Sequence, residues 1–146
     1  MIFLSGWSGF SEIYPEISKR SKFIVPFQDY NFLDWYLDEI KREEDMIVGW
    51  SLGANLILRD IDKLNAKKII LIAPFLNFTD YVNERIVNLM IRAFEENKKR
   101  CISDFWTRIG IKMDIKTKIS SSLKDGLIFL KERNSFKEYP HKKNIC

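Results

Sequence analysis

Four short apolar runs punctuate the first half of the chain, at residues 1–4, 22–26, 46–50 and 68–73. Their cores are Ile2-Phe3-Leu4, Phe23-Ile24-Val25, Met46-Ile47-Val48 and Ile69-Ile70-Leu71-Ile72. None is long enough to be a helix, and none alternates polar with apolar residues. Uninterrupted runs of this kind suit strands covered on both faces, as in a parallel sheet. The intervening chain reads as helix. Residues 12–19 accept Pro15 in a first turn, where its missing N–H costs little. Residues 33–41 place Leu33, Trp35, Tyr36, Leu37 and Ile40 for one buried face. Residues 52–61 have no Gly or Pro after Gly53. Strands alternating with helices imply right-handed crossovers. The expected fold class is α/β: a short, mostly parallel sheet flanked by helices.

Beyond residue 76 the pattern changes. Helices are expected over 81–96, 103–109 and 119–131, the first with Val82, Ile86, Leu89, Met90 and Phe94 on one face. Leu123, Leu127 and Leu130 form a stripe on the last. No further strand run follows Ile72. Residues 134–146 are polar and basic, contain Pro140, and read as a weakly ordered tail. The expected organisation is a core over 1–76, a helical region over 77–125, and a helix end with its tail over 126–146.

A length of 146 residues suits one domain with a real core. A net charge of +4, with Lys and Arg spread along the chain, does not point to nucleic acid. No segment has the length and apolarity of a membrane span. The first residues lack the basic start of a signal peptide. Cys101 and Cys146 show neither disulfide-framework nor metal-ligand spacing, which fits a reduced cytoplasm. Neither metal nor cofactor is expected.

Chemistry concentrates where the third run ends. Gly49-Trp50-Ser51-Leu52-Gly53 fits G-x-S-x-G, with a strand before it and a helix after it. In a nucleophile elbow the serine sits on a strained strand-to-helix turn, and the flanking glycines let the two elements approach. The hydroxyl of Ser51 would then attack an acyl carbon. The helix N-terminus behind it favours developing negative charge. The Leu52 N–H would be one oxyanion donor. The loop after the first strand, Ser5-Gly6-Trp7-Ser8-Gly9, would share that rim and offer the Trp7 N–H as the second, with Gly6 beside it. The plainer alternatives are a helix entry with Ser51 as N-cap and a glycine turn with Trp7 as a packing residue.

Leu4-Ser5-Gly6-Trp7, together with Gly49-Trp50-Ser51-Leu52-Gly53-Ala54, resembles the α/β-hydrolase superfamily. The likeness is greatest to the carboxylesterases of biotin synthesis that cleave the methyl ester of pimeloyl-acyl carrier protein. Those enzymes carry His-Gly-Trp-Gly in the first loop and Gly-Trp-Ser-Leu-Gly at the elbow. Ser5 here stands in place of the histidine, and Ser8 in place of the last glycine. The resemblance covers residues 1–76, with Gly126-Leu127 and the helical character of 77–130 similar to the family's cap and the helix leaving it. It implies Ser51 as nucleophile, Trp7 and Leu52 as oxyanion donors, and a small acyl ester as substrate. It also implies an acidic acyl carrier protein as partner, met by basic residues of the cap: Arg92, Lys98, Lys99, Arg100, Arg108 and Lys112. A solvated helix face is the alternative reading of those charges.

The family orders its triad Ser, Asp, His, with the acid and base after later strands. No strand run precedes such an Asp or His here; Asp80 and Asp125 have no specific support as the acid. His141 is the chain's single histidine and the one candidate base. Three readings follow: a shortened relative without the far sheet edge, a compact enzyme in which His141 folds back, or a non-catalytic relative that binds through the same rim. A thioesterase or acyltransferase on this scaffold is a further alternative.

Overall fold

A computed structural model describes residues 1–29 and 43–132. The helix expected at 33–41, the tail at 134–146, His141 and Cys146 lie outside the described residues. Four strands form one sheet: β1 (Ile2–Leu4), β2 (Lys22–Ile24), β3 (Glu44–Trp50) and β4 (Ala66–Ile72). All three pairings are parallel and the order is β2-β1-β3-β4. The helices are α1 (Pro15–Arg20), α2 (Leu52–Arg59), α3 (Glu84–Glu96), α4 (Lys98–Arg108) and α5 (Leu123–Lys131). Short 3-10 turns occupy Ser11–Ile13, Ile61–Lys63 and Phe78–Asp80.

The pairing register assigns the two faces. Phe3 sits beside Phe23 and Val48, while Leu4 sits beside Ile24 and Gly49. On the first face Phe3 stacks on Phe23 with ring centroids 5.2 Å apart, and Tyr14 meets Trp50 edge-on at 5.5 Å. On the second, α2 closes over Gly49, beside Ala54 and Ile57. β1 is buried along its whole length. The chain steps from β1 to β2, then returns past β1 to β3 and on to β4. The direction reverses between β1 and β3, and such reversals open a crevice at the carboxyl ends of the two strands.

The sequence runs locate all four strands, but they overstate cover on β4. β4 pairs only with β3 among the described residues, and Ile72 is 45% exposed, with Ile70 and Leu71 half-buried.

The helices of the second half dock onto the loop after β1. The Trp7 indole N–H donates to the Leu123 carbonyl at 2.8 Å, and that of Trp106 donates to the Ser8 carbonyl at 3.1 Å. Trp7 packs edge-on against Phe94 and Phe105, and Phe10 against Trp106. Gly126 admits the contact: a Cβ there would lie 3.0 Å from the Trp7 ring and 3.1 Å from that of Phe27. One buried cluster therefore runs from Ile2 and Leu4 through Trp7 to Ile102, Trp106 and Leu127.

The helices differ in detail from the sequence expectation: residues 12–19 split into the turn Ser11–Ile13 and α1, and α5 begins at Leu123, not 119. α3 buries Val87 and Phe94, with Met90 and Ile91 partly covered, whereas Ile86 and Leu89 are 45% and 55% exposed. Contact with α4 and α5 selects the stripe spaced i, i+3, i+4, i+7, a small rotation from the one read in the sequence. α4 starts at Lys98, not 103, because Asn97 both ends α3 and caps α4, its side chain accepting from the Arg100 N–H at 3.0 Å.

Glu12 ties the first loop to the segment between α4 and α5. Its carboxylate accepts the N–H groups of Lys116 and Thr117, both at 3.0 Å, and the Thr117 hydroxyl at 2.6 Å. Burial alone would raise the Glu12 carboxyl, but these hydrogen bonds outweigh it and hold the group below its ordinary value. A depressed carboxyl stabilises the fold above its unfolded-state pKa, and that stabilisation is lost as pH falls through the folded-state value. Urea unfolding should therefore show Glu12→Gln less stable than the parent by about 1 kcal/mol at pH 7. The difference should close as the pH is lowered below the ordinary carboxylate range.

Cys101 is buried on α4, and burial followed by the charge of Asp104 pushes its thiol up to about 11. Its thiolate is scarce at pH 8, so an aromatic disulfide reagent should modify Cys101 far more slowly in the native protein than in urea.

Candidate functional site

Ser51 stands between the last residue of β3 and the first of α2, with φ 53° and ψ −113°. That is a left-handed backbone for a residue with a Cβ, and such strain persists only where the surroundings enforce it. The enforcement is visible on both sides. The Ser51 N–H donates to the Ile72 carbonyl at the end of β4, at 2.9 Å. The Gly53 N–H donates to the Ser5 carbonyl at the end of β1, at 3.1 Å.

Both glycines are needed for close approach. A Cβ at Gly53 would lie 2.6 Å from the Leu4 carbonyl carbon and 2.7 Å from the Ser5 oxygen. A Cβ at Gly49 would lie 2.8 Å from the Ala54 Cα. The Ser51 side chain makes no capping hydrogen bond to α2, so the N-cap alternative does not account for the serine. Ser51 as a residue is half-buried.

The first loop lies alongside. A Cβ at Gly6 would be 3.3 Å from that of Ser51 and 3.1 Å from the Trp50 ring. Ser5 is fully buried and organises the loop: its N–H reaches the Ile24 carbonyl at 2.9 Å, and its hydroxyl donates back to the carbonyls of Gly9 and Gly6. Trp7 contributes its indole to the interface with α5, which agrees with the packing reading of its side chain and leaves its peptide facing a separate question of chemistry. Leu52 opens α2; its side chain is buried, and its N–H, as the first of the helix, has no intrahelical acceptor.

The sequence did not announce how widely the rim is strained. Four non-glycine residues among those described have positive φ: Ser8 at 54°, Phe27 at 65°, Ser51 at 53° and Ala73 at 49°. One follows each of the four strands. Only Ser51 had a sequence signal, because Ser, Phe and Ala carry none of the glycine mark of such turns. Asn55 was also missed. It is fully buried one turn along α2, and its amide donates to the carbonyls of Phe75 at 2.9 Å and Leu76 at 3.1 Å. It thereby fixes the loop after β4 to α2.

The basic residues named from the sequence do not act alike. Arg92, Lys99, Arg100, Arg108 and Lys112 are exposed. Lys98 is half-buried and structural, its ammonium donating to the Ile119 carbonyl at 3.2 Å and the Ser121 hydroxyl at 3.1 Å. Arg100 lies 3.9 Å from Asp104 on the same helix. Asp80 accepts from the Asn77 amide at 3.3 Å. The structure thus brings Ser51, Gly6 and Leu52 together at one rim, while His141 lies outside the described residues. No cluster of metal-ligating side chains occurs among the described residues.

No protein-family model matches the chain, and searches of curated proteins and of solved structures find no significant match.

Gly53→Ala should lower the stability to urea by about 2–3 kcal/mol, since the backbone of β1 cannot yield to the new methyl group. An unchanged midpoint would mean that α2 does not rest on Ser5.

Proposed function

We propose that Ser51 is the nucleophile of a carboxylic ester hydrolase of α/β-hydrolase type, with the helical layer of α3, α4 and α5 as its cap. The observation that carries the reading is the strained Ser51 turn, held between strand and helix with the first loop beside it. Ser51 Oγ attacks the ester carbonyl carbon as a base accepts its proton. The Leu52 and Trp7 N–H groups receive the oxyanion. Collapse of that intermediate breaks the bond to the alkoxy oxygen, and the alcohol leaves with a proton. Water then attacks the acyl-enzyme, and Ser51 is restored with release of the acid. His141 is the candidate base.

The resemblance of the two tryptophan-containing motifs supports a substrate such as the methyl ester of pimeloyl-acyl carrier protein, in biotin synthesis in the cytoplasm. Exposed Arg92, Lys99, Arg100 and Arg108 would meet the acidic carrier. Lys98 fits that role less well, because its ammonium already holds the Ile119 carbonyl. A non-catalytic binding protein is the second reading, favoured by one observation: the sequence holds a single histidine, with no strand run ahead of it where the family order would require one.

Hydrolysis of short p-nitrophenyl esters by the purified protein should fall at least about a thousandfold in Ser51→Ala. A fluorophosphonate should label the parent at Ser51 and leave the variant unlabelled. Activity retained in Ser51→Ala would exclude the mechanism. A folded parent with neither turnover nor labelling would overturn the hydrolase reading.

A further inference from the structure

A separate cavity of about 470 Å³ opens beside α1 and the carboxyl end of β2. Its walls combine Phe10, Phe23 and Val25 with Ser18, Ser21, Asp29 and other polar groups. The direction of the hydrogen bonds around it is the informative feature. The Ser18 hydroxyl donates to the Pro15 carbonyl at 3.1 Å, and the Ser21 hydroxyl to the Ile17 carbonyl at 2.7 Å. The Thr117 hydroxyl, also in the wall, donates to Glu12 at 2.6 Å. Each of these protons is committed to the protein, so the oxygens have only lone pairs left to offer.

Asp29 adds a negative charge. Its Oδ2 accepts the Val25 N–H at 2.8 Å, which leaves Oδ1 as an acceptor. It lines the cavity, and among the described residues it forms no ion pair and no Lys or Arg lines the walls. Burial raises the Asp29 carboxyl, and the Val25 N–H only partly offsets it, as expected for a carboxylate lacking a cation. An ammonium group has three donors and no acceptor, the complement of Asp29 and these three hydroxyls. Gln28, also in the wall, already donates to the Lys118 carbonyl at 2.8 Å and accepts the Ser120 N–H, and the Ser11 hydroxyl can accept as well as donate. A short alkyl chain behind it would lie on Val25 and Phe23, whose ring face also attracts cations.

We propose that this cavity binds a primary alkylammonium group, with Asp29 as its counter-ion and the Ser18 and Ser21 oxygens as additional acceptors. The site is independent of the chemistry at Ser51.

The test is a titration of the isotopically labelled protein with butylammonium chloride, followed by amide NMR, with sodium butyrate and sodium chloride as controls. Butylammonium should move the amides of Ser21, Val25, Asp29 and Thr117 in a saturable way, and neither control should. Asp29→Asn should weaken binding about tenfold or more, since a charged hydrogen bond becomes a neutral one. Shifts confined to other regions of the parent, or an equal response to butyrate, would overturn the proposal without any variant being needed. Undiminished affinity in a folded Asp29→Asn would overturn the role of Asp29.

Discussion

The hydrogen bond from the Gly53 N–H to the Ser5 carbonyl is the contact on which the rest of the rim depends. It forms across a gap that holds no Cβ, so the start of α2 rests directly on the backbone of β1. Ser5 also reaches β2, its N–H donating to the Ile24 carbonyl. One residue, through the two peptide groups on either side of it, therefore links the central strand, its neighbour and the helix α2. The strain at Ser51 is the consequence: with α2 fixed to β1 and the Ser51 N–H fixed to β4, the turn between them has no relaxed path.

The helical layer reinforces this arrangement from outside. Two indoles, Trp7 and Trp106, each bury a ring and satisfy an N–H on a backbone carbonyl across the interface. A tryptophan used this way contributes area and direction together. Trp106 lands on Ser8, itself held at positive φ, so the shape of the first loop depends on residues far away in sequence. Any movement of α4 or α5 would be felt at the loop beside Ser51.

Much of this was legible beforehand, and the misses have physical causes. The four strands were readable because a strand covered on both faces must be apolar at consecutive positions, as in Ile2-Phe3-Leu4. The tight strand-to-helix turn at Ser51 was readable because two glycines and a serine at fixed spacing answer a local steric need. The buried face of α3 was misread by a small rotation, since Ile86 and Leu89 suit a helical stripe as well as Val87 and Ile91 do. Asn97 was overlooked because one residue that ends a helix and caps the next looks like any polar position. The turns at Ser8, Phe27 and Ala73 were invisible, since non-glycine residues adopt positive φ only under tertiary constraint.

The sequence by itself determined the order of strands and helices, their parallel sense, and the position of a serine at the end of β3. These follow from periodicity and from glycine, which act over a few residues. The tertiary structure alone decided the strand order β2-β1-β3-β4, the meeting of the Ser5–Gly9 loop with Ser51, and the locking of the helical layer onto that loop. Those depend on which surfaces bury each other across long separations in the chain. No local pattern records that choice, because many pairings would suit the same uninterrupted apolar runs.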